Sequence, residues 1–86
     1  MDPVEALERT VYLLDRSLAP APKVKAFARA ADVVRDLDPG ELREMHKGGR
    51  LKELPGIGDS TSAVIAEALE GKVPDYLAKL EDSTVI

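Results

Sequence analysis

The sequence predicts an all-α protein, a compact bundle of four to five short helices in one domain over residues 1–86. Two observations carry this prediction: apolar residues recur at intervals of three and four, and proline or glycine interrupts that pattern repeatedly. No segment shows the alternation of apolar and polar residues that a half-buried strand requires. Because only three side chains are aromatic, the core must be built from Leu, Val, Ile and Ala.

Capping signals set the helix boundaries. Asp2 and Asp38 each precede a proline, an arrangement typical of an N-cap followed by the first helical residue. The Ala-Pro-Ala-Pro stretch at 19–22 ends the helix before it, because each proline removes a hydrogen-bond donor. The glycines at 48–49 and 71 end the helices before them, because glycine suits a helix end. The predicted helices span residues 3–18, 23–37, 39–47, 60–70 (capped by Asp59 or Ser60) and 75–81.

The most informative segment is the turn LPGIG at residues 54–58, which lies between a single helical turn and the fourth helix. Pro55 fixes the backbone entering the turn, and Ile57 can enter the core. Gly56 and Gly58 permit positive φ angles and the close approach of another backbone. The amides of both glycines and of the first helical residues are expected to point outward together. Their partial positive charge, added to that of the helix N-terminus, suits a phosphate oxygen.

Charge is distributed unevenly along the chain. The net charge of −4 by itself argues against a nucleic-acid-binding protein. Residues 23–52, however, carry eight basic and five acidic side chains, a net charge of +3, whereas residues 1–22 and 53–86 have net charges of −2 and −5. On charge alone this distribution also fits an ordinary scatter of surface charges. The basic side chains expected to form a patch near the turn are Lys23, Lys47, Arg50 and Lys52.

Composition excludes several classes of site and location. Without cysteine the chain has no disulfide, no thiolate zinc site and no cysteine nucleophile. The single histidine, His46, lies in a polar stretch and is interpreted as a solvated side chain. The run Ser60-Thr61-Ser62 has no base nearby in sequence and is explained by capping. The acidic amino terminus is unlike a signal peptide and the apolar runs are too short to span a membrane, so we expect a cytoplasmic protein without membrane partners.

The string LKELPGIG, followed by an amphipathic helix, resembles the helix-hairpin-helix motif of DNA-binding proteins. Over roughly residues 4–82 the chain also resembles the amino-terminal domain of family X DNA polymerases and of bacterial PHP-domain proteins. The stretches that carry this resemblance are VKAFARAADVVRDL (24–37), LKELPGIGDSTSAVIAEAL (51–69) and GKVPDYLAKLE (71–81). The resemblance implies a SAM-like bundle that binds single-stranded or gapped DNA near a 5′ end in DNA repair. It also implies a bacterial, nucleoid-associated location when DNA is bound, and a PHP domain after this one in a longer chain.

The resemblance places the site residues around the hairpin, residues 54–59. The DNA-binding residues predicted from the patch, the turn and the resemblance together are Lys23, Arg29, Lys47, Arg50, Lys52, Pro55, Gly56, Ile57, Gly58, Asp59 and Ser60. Hairpins of this family also hold a monovalent cation, K⁺ or Na⁺. Here the backbone carbonyls of Lys52, Leu54 and Ile57 would hold it against a phosphate oxygen. No other cofactor is expected.

Several positions depart from the family pattern. The lysine that forms a Schiff base in the lyase domain of DNA polymerase beta corresponds to Val64, so that chemistry is absent from this position. A phosphate-binding lysine corresponds to Ser60, and an aromatic hydroxyl to Phe27, which we expect in the core. Asp59 adds a negative charge where a phosphate would approach. These departures predict no lyase activity and weakened DNA binding.

Two functions stay open on the sequence. The first is a non-catalytic DNA-binding module without sequence specificity, the amino-terminal part of a larger protein in which any catalysis belongs to a carboxy-terminal domain. The second is a structural or protein-interaction domain that keeps the hairpin for folding alone, which the net charge of −4, Asp59 and Ser60 favour. An enzyme that uses Lys23 or Lys25 is a third hypothesis, although a surface lysine is more often a solvated charge. Residues 82–86 have no identified cap or partner and are expected to fray or to mark a truncation point.

Overall fold

Five α-helices and one 3₁₀ turn make up the fold in the computed structural model, which describes residues 1–84. No strand occurs among these residues, so the all-α prediction is confirmed. The elements are α1 (Pro3–Arg16), α2 (Ala21–Arg35), α3 (Pro39–Lys47), the 3₁₀ turn Leu51–Glu53, α4 (Asp59–Leu69) and α5 (Asp75–Thr84).

The helix starts follow local capping chemistry. The Asp2 carboxylate accepts a hydrogen bond from the Glu5 amide at 3.0 Å at the start of α1. Asp38 caps α3 in the same way, as its sequence position indicates. Helix α2 begins at Ala21, two residues earlier than predicted. Pro22 fits the first turn of the helix, because a backbone amide there would have no intrahelical partner.

The core is aliphatic and is centred on α1, which packs against α2, α4 and α5. Leu7 of α1, Ile65 of α4 and Leu77 of α5 are fully buried. Phe27 joins them from α2, and its ring centroid lies 5.1 Å from that of Tyr76 on α5. The Phe27 ring is therefore part of the core, as expected.

Helix α5 is tied to α4 at its first residue. The Glu67 carboxylate of α4 accepts a hydrogen bond from the Asp75 amide at 3.1 Å, and Pro74 just before it is buried. The helix continues to Thr84, three residues beyond the predicted end. From the sequence, residues 82–86 are expected to fray or to mark a truncation point. Of these, residues 82–84 have helical backbone, and positions 85–86 lie outside the described residues.

Leu18 differs from its predicted place on the apolar face of α1. The helix ends at Arg16, and Leu18 adopts φ +59° with 91% of its surface exposed. A non-glycine residue reaches this left-handed region at a cost of roughly 1 kcal/mol.

We therefore expect Leu18→Gly to raise the free energy of unfolding by up to about 1 kcal/mol, less the entropy that glycine adds to the unfolded chain. Urea denaturation followed by circular dichroism measures this change. Leu18→Ala removes the same exposed side chain but keeps the strained backbone. If Leu18→Ala stabilises the protein as much as Leu18→Gly, the backbone strain is not the cause.

Candidate nucleic-acid interface

The hairpin is a tight turn that leads directly into α4. The Ile57 amide donates a hydrogen bond to the Leu54 carbonyl at 3.1 Å, which closes the turn. The Ile57 side chain is buried and so attaches the turn to the core. Gly56 adopts φ +81°, a conformation that favours glycine. The turn therefore needs a glycine at position 56, as the sequence indicates.

Gly58 differs from the prediction in conformation and in hydrogen bonding. Its φ of −114° is ordinary extended backbone. Its amide does not point outward to a ligand but donates to the Thr61 hydroxyl at 2.8 Å. Gly58 itself is the N-cap of α4, in place of Asp59 or Ser60. The missing side chain instead leaves open space, because no atom lies within 4 Å of the position a Cβ would take.

The amides that remain available for a ligand are that of Gly56 and those in the first turn of α4. The Ser62 amide makes the first bond of the helix, to the Gly58 carbonyl at 2.9 Å. The amides of Asp59, Ser60 and Thr61 have no acceptor within residues 1–84. These donors carry the partial positive charge of a helix N-terminus, which favours an anion. The Gly58 amide is therefore not an available phosphate donor, whereas the amides of Gly56 and of the first turn of α4 are.

Helix α2 forms the opposite wall of a groove beside these amides. Lys23 of α2 lies across it from the α4 N-terminus. The lining is Lys23, Ala26, Phe27, Gly56, Gly58, Asp59, Ser60 and Thr61, which we call the hairpin groove. Its only lining amine among the described residues is that of Lys23. The structure thus brings five of the predicted site residues together at one groove: Lys23, Gly56, Gly58, Asp59 and Ser60.

Arg29 and Tyr76 support this groove from α2 and α5. A Cβ added at Gly56 would stand 2.8 Å from Arg29 Nε, so the arginine side chain lies directly against the turn. Lys23 Nζ lies 5.4 Å from the centroid of the Tyr76 ring, within the range of a cation–π contact. The sequence assigned no role to Tyr76, because its contact with Lys23 exists only once α5 packs beside α2.

Lys52 forms an ion pair with Asp59, which is itself one of the predicted site residues. Its ammonium contacts the Asp59 carboxylate directly, and both side chains are largely exposed. The hydrogen bond from Lys52, and then its positive charge, lower the pKa of Asp59 from its ordinary value. Asp59 is therefore ionised at neutral pH and competes with any phosphate for Lys52.

The other predicted cations do not line the hairpin groove. Lys47 Nζ lies 3.9 Å from Glu44 on its own helix, and the Arg50 side chain packs beside Gly48. Nearby, His46 is not simply solvated as expected, because its Nε2 lies 3.4 Å from the Glu70 carboxylate.

Val64 is fully buried in the core. The position that would carry a Schiff-base lysine therefore faces the protein interior and presents no group to the hairpin groove. Ser60, in contrast, is exposed and lines that groove. Helix α4 therefore offers a phosphate backbone amides and no lysine side chain.

The carbonyls expected to hold a monovalent cation are partly available. The Leu54 carbonyl accepts the Ile57 amide and retains one lone pair. The carbonyls of Lys52 and Ile57 accept no hydrogen bond within the described part of the chain. Carbonyl oxygen is the type of ligand that a hard cation prefers.

Across positions 1–84, no three His, Asp or Glu side chains converge as metal ligands. No helix in this part of the chain has the length and apolar character needed to cross a bilayer.

Comparison with known proteins agrees with this geometry. The family model described as "Helix-hairpin-helix domain" matches residues 1–73, which include the hairpin, α4 and the helices that form the groove. No curated protein and no solved structure matches the chain at a significant level. Domains of this family generally bind nucleic acids. The match covers most of the chain, which therefore belongs to the helix-hairpin-helix domain family.

Proposed function

We propose that this chain is a DNA-binding module without sequence specificity, which holds backbone phosphates between the first-turn amides of α4 and the Lys23 ammonium. The observation that carries this proposal is the hairpin groove, where both kinds of donor meet beside the open space at Gly58. Amides and a lysine recognise phosphate oxygens and read no bases. The affinity should therefore depend on salt and not on base sequence.

The resemblance to family X polymerases and PHP-domain proteins supports a more specific form of this proposal. The DNA is single-stranded or gapped, and a 5′-phosphate occupies the hairpin groove. The module then positions DNA for the remainder of a longer repair protein. When bound, a K⁺ or Na⁺ ion at the carbonyls of Lys52, Leu54 and Ile57 would supply positive charge beside the phosphate.

A protein-interaction domain without DNA binding is the second candidate. The Lys52–Asp59 ion pair favours it, because the pair occupies a lysine and places a carboxylate in the hairpin groove. The net charge of −4 points the same way.

A DNA titration separates the two candidates. Fluorescence anisotropy would follow labelled single-stranded, duplex and 5′-phosphorylated gapped DNA, each in two unrelated sequences, at low and then moderate salt. We expect dissociation constants of roughly 1–100 μM, equal for the two sequences and weakening steeply with salt. A preference for the gapped DNA would support the more specific form. Absence of binding to every DNA at low salt would leave the interaction domain as the function.

A further inference from the structure

A second groove adjoins the hairpin groove at Lys23. It is formed by the start of α2 and one face of α5. Its lining is Lys23, Tyr76, Lys79, Leu80 and Ser83, which we call the α5 groove. The four α5 residues follow the spacing i, i+3, i+4 and i+7, which is one face of a helix. Because Lys23 lines both grooves, the two are neighbours on one surface.

We infer that the α5 groove is a second phosphate site for the same DNA strand, and that Lys79 binds a backbone phosphate adjacent to those held at the hairpin groove. This inference rests on the proposed function and extends it. Consecutive phosphates of one strand would then be bound by the α4 amides, Lys23 and Lys79, in that order across the surface.

The charges around the α5 groove favour a phosphate. None of its lining side chains is a carboxylate. Lys79 is exposed and forms no ion pair within the described residues. The nearby carboxylate Glu81 lies 3.9 Å from Arg9 of α1, on a different face of α5. Residues 53–86 are acidic as a segment, and Asp75 and Asp82 lie one helical turn from Lys79 on α5. Neither of them lines the α5 groove or forms an ion pair with Lys79 among the described residues.

The position of Lys23 links the two sites. Its ammonium rests on the Tyr76 ring at 5.4 Å, and that ring packs against buried Phe27 at 5.1 Å. The ring carries no net charge, so the contact orients the lysine without neutralising it. Lys23 therefore keeps its full charge available between the hairpin groove and the α5 groove.

Lys79→Ala tests the second site, with Lys72→Ala as the matched control. Lys72 is also exposed and its removal changes the net charge equally, but it lies 3.5 Å from Glu70 and lines neither groove. On a 12-nucleotide oligothymidylate at low salt, we expect Lys79→Ala to weaken binding roughly three- to fivefold. The slope of log K against log salt should fall in magnitude by about 0.7, the value for one phosphate contact on a single strand.

Lys72→Ala should stay within about twofold of the wild type and keep its salt slope. Lys79→Arg, which retains the charge, should bind as the wild type does. Circular dichroism would establish that each variant is folded. Equal effects of Lys79→Ala and Lys72→Ala, with Lys23→Ala still weakening binding, would overturn the α5 site and leave the hairpin groove standing. A wild-type protein that binds no DNA would overturn both.

Discussion

Gly58→Ala is expected to weaken DNA binding about tenfold with the fold intact, whereas Gly56→Ala is expected to destabilise the fold itself. The two glycines are two residues apart in one turn, but their backbones differ. The comparison therefore separates the binding role of the hairpin from its structural role.

Gly56 is required by the backbone. Its φ of +81° lies in the region that L-residues rarely adopt, and an added Cβ would stand 2.9 Å from Arg29 Cδ. The arginine side chain can move aside, but the backbone strain of roughly 1–2 kcal/mol remains. Gly56→Ala should lower the melting temperature measured by circular dichroism, and any loss of binding would follow from that loss of structure.

At Gly58 the proposed phosphate, and not the backbone, requires glycine. Its extended backbone accepts alanine, and nothing lies within 4 Å of the new methyl group. Replacing glycine by alanine at an N-cap costs up to about 1 kcal/mol, which leaves the protein folded. The methyl group would occupy the open space beside the amides of Asp59 and Ser60, where the phosphate has to approach. Wild-type affinity in Gly58→Ala would show that the phosphate does not approach there.

The sequence was sufficient for the helices and the core because the signals for both are local. Asp2 and Asp38 cap the helices that follow them, and the periodic apolar residues of α4, Val64 and Ile65 among them, are buried as expected. Ile57 also enters the core. These features depend on residues within one or two helical turns, where capping and periodicity are reliable.

The hairpin groove was only partly predictable because its details depend on tertiary packing. A glycine permits several conformations, so the sequence alone did not distinguish the left-handed Gly56 from the extended Gly58. The pairing of Lys52 with Asp59 depends on the path of the turn between them. The juxtaposition of Lys79 with Lys23 depends on which face of α5 packs beside α2, and the net charge of the segment does not show this.

Asp59→Asn is expected to raise the affinity for single-stranded DNA about tenfold at low salt. The substitution removes the carboxylate that holds Lys52 and that would repel a phosphate at the N-terminus of α4. Asp36→Asn is the matched control, because Asp36 is exposed, changes the net charge equally and forms no ion pair within residues 1–84. An equal gain in both variants would mean that overall charge, and not the Lys52–Asp59 pair, limits binding.

The same pair predicts how DNA affinity responds to pH and to a second substitution. Because Lys52 lowers the pKa of Asp59, the carboxylate stays ionised in mild acid. Lowering the pH from 7 to about 5.5 should therefore not reproduce the gain in affinity expected for Asp59→Asn.

A double-mutant cycle with Lys52→Ala identifies how Asp59 limits DNA binding. If Asp59 acts by occupying Lys52, the gain from Asp59→Asn should shrink to about threefold or less when Lys52 is absent. An undiminished gain would mean that Asp59 acts by direct repulsion of the phosphate and not through Lys52.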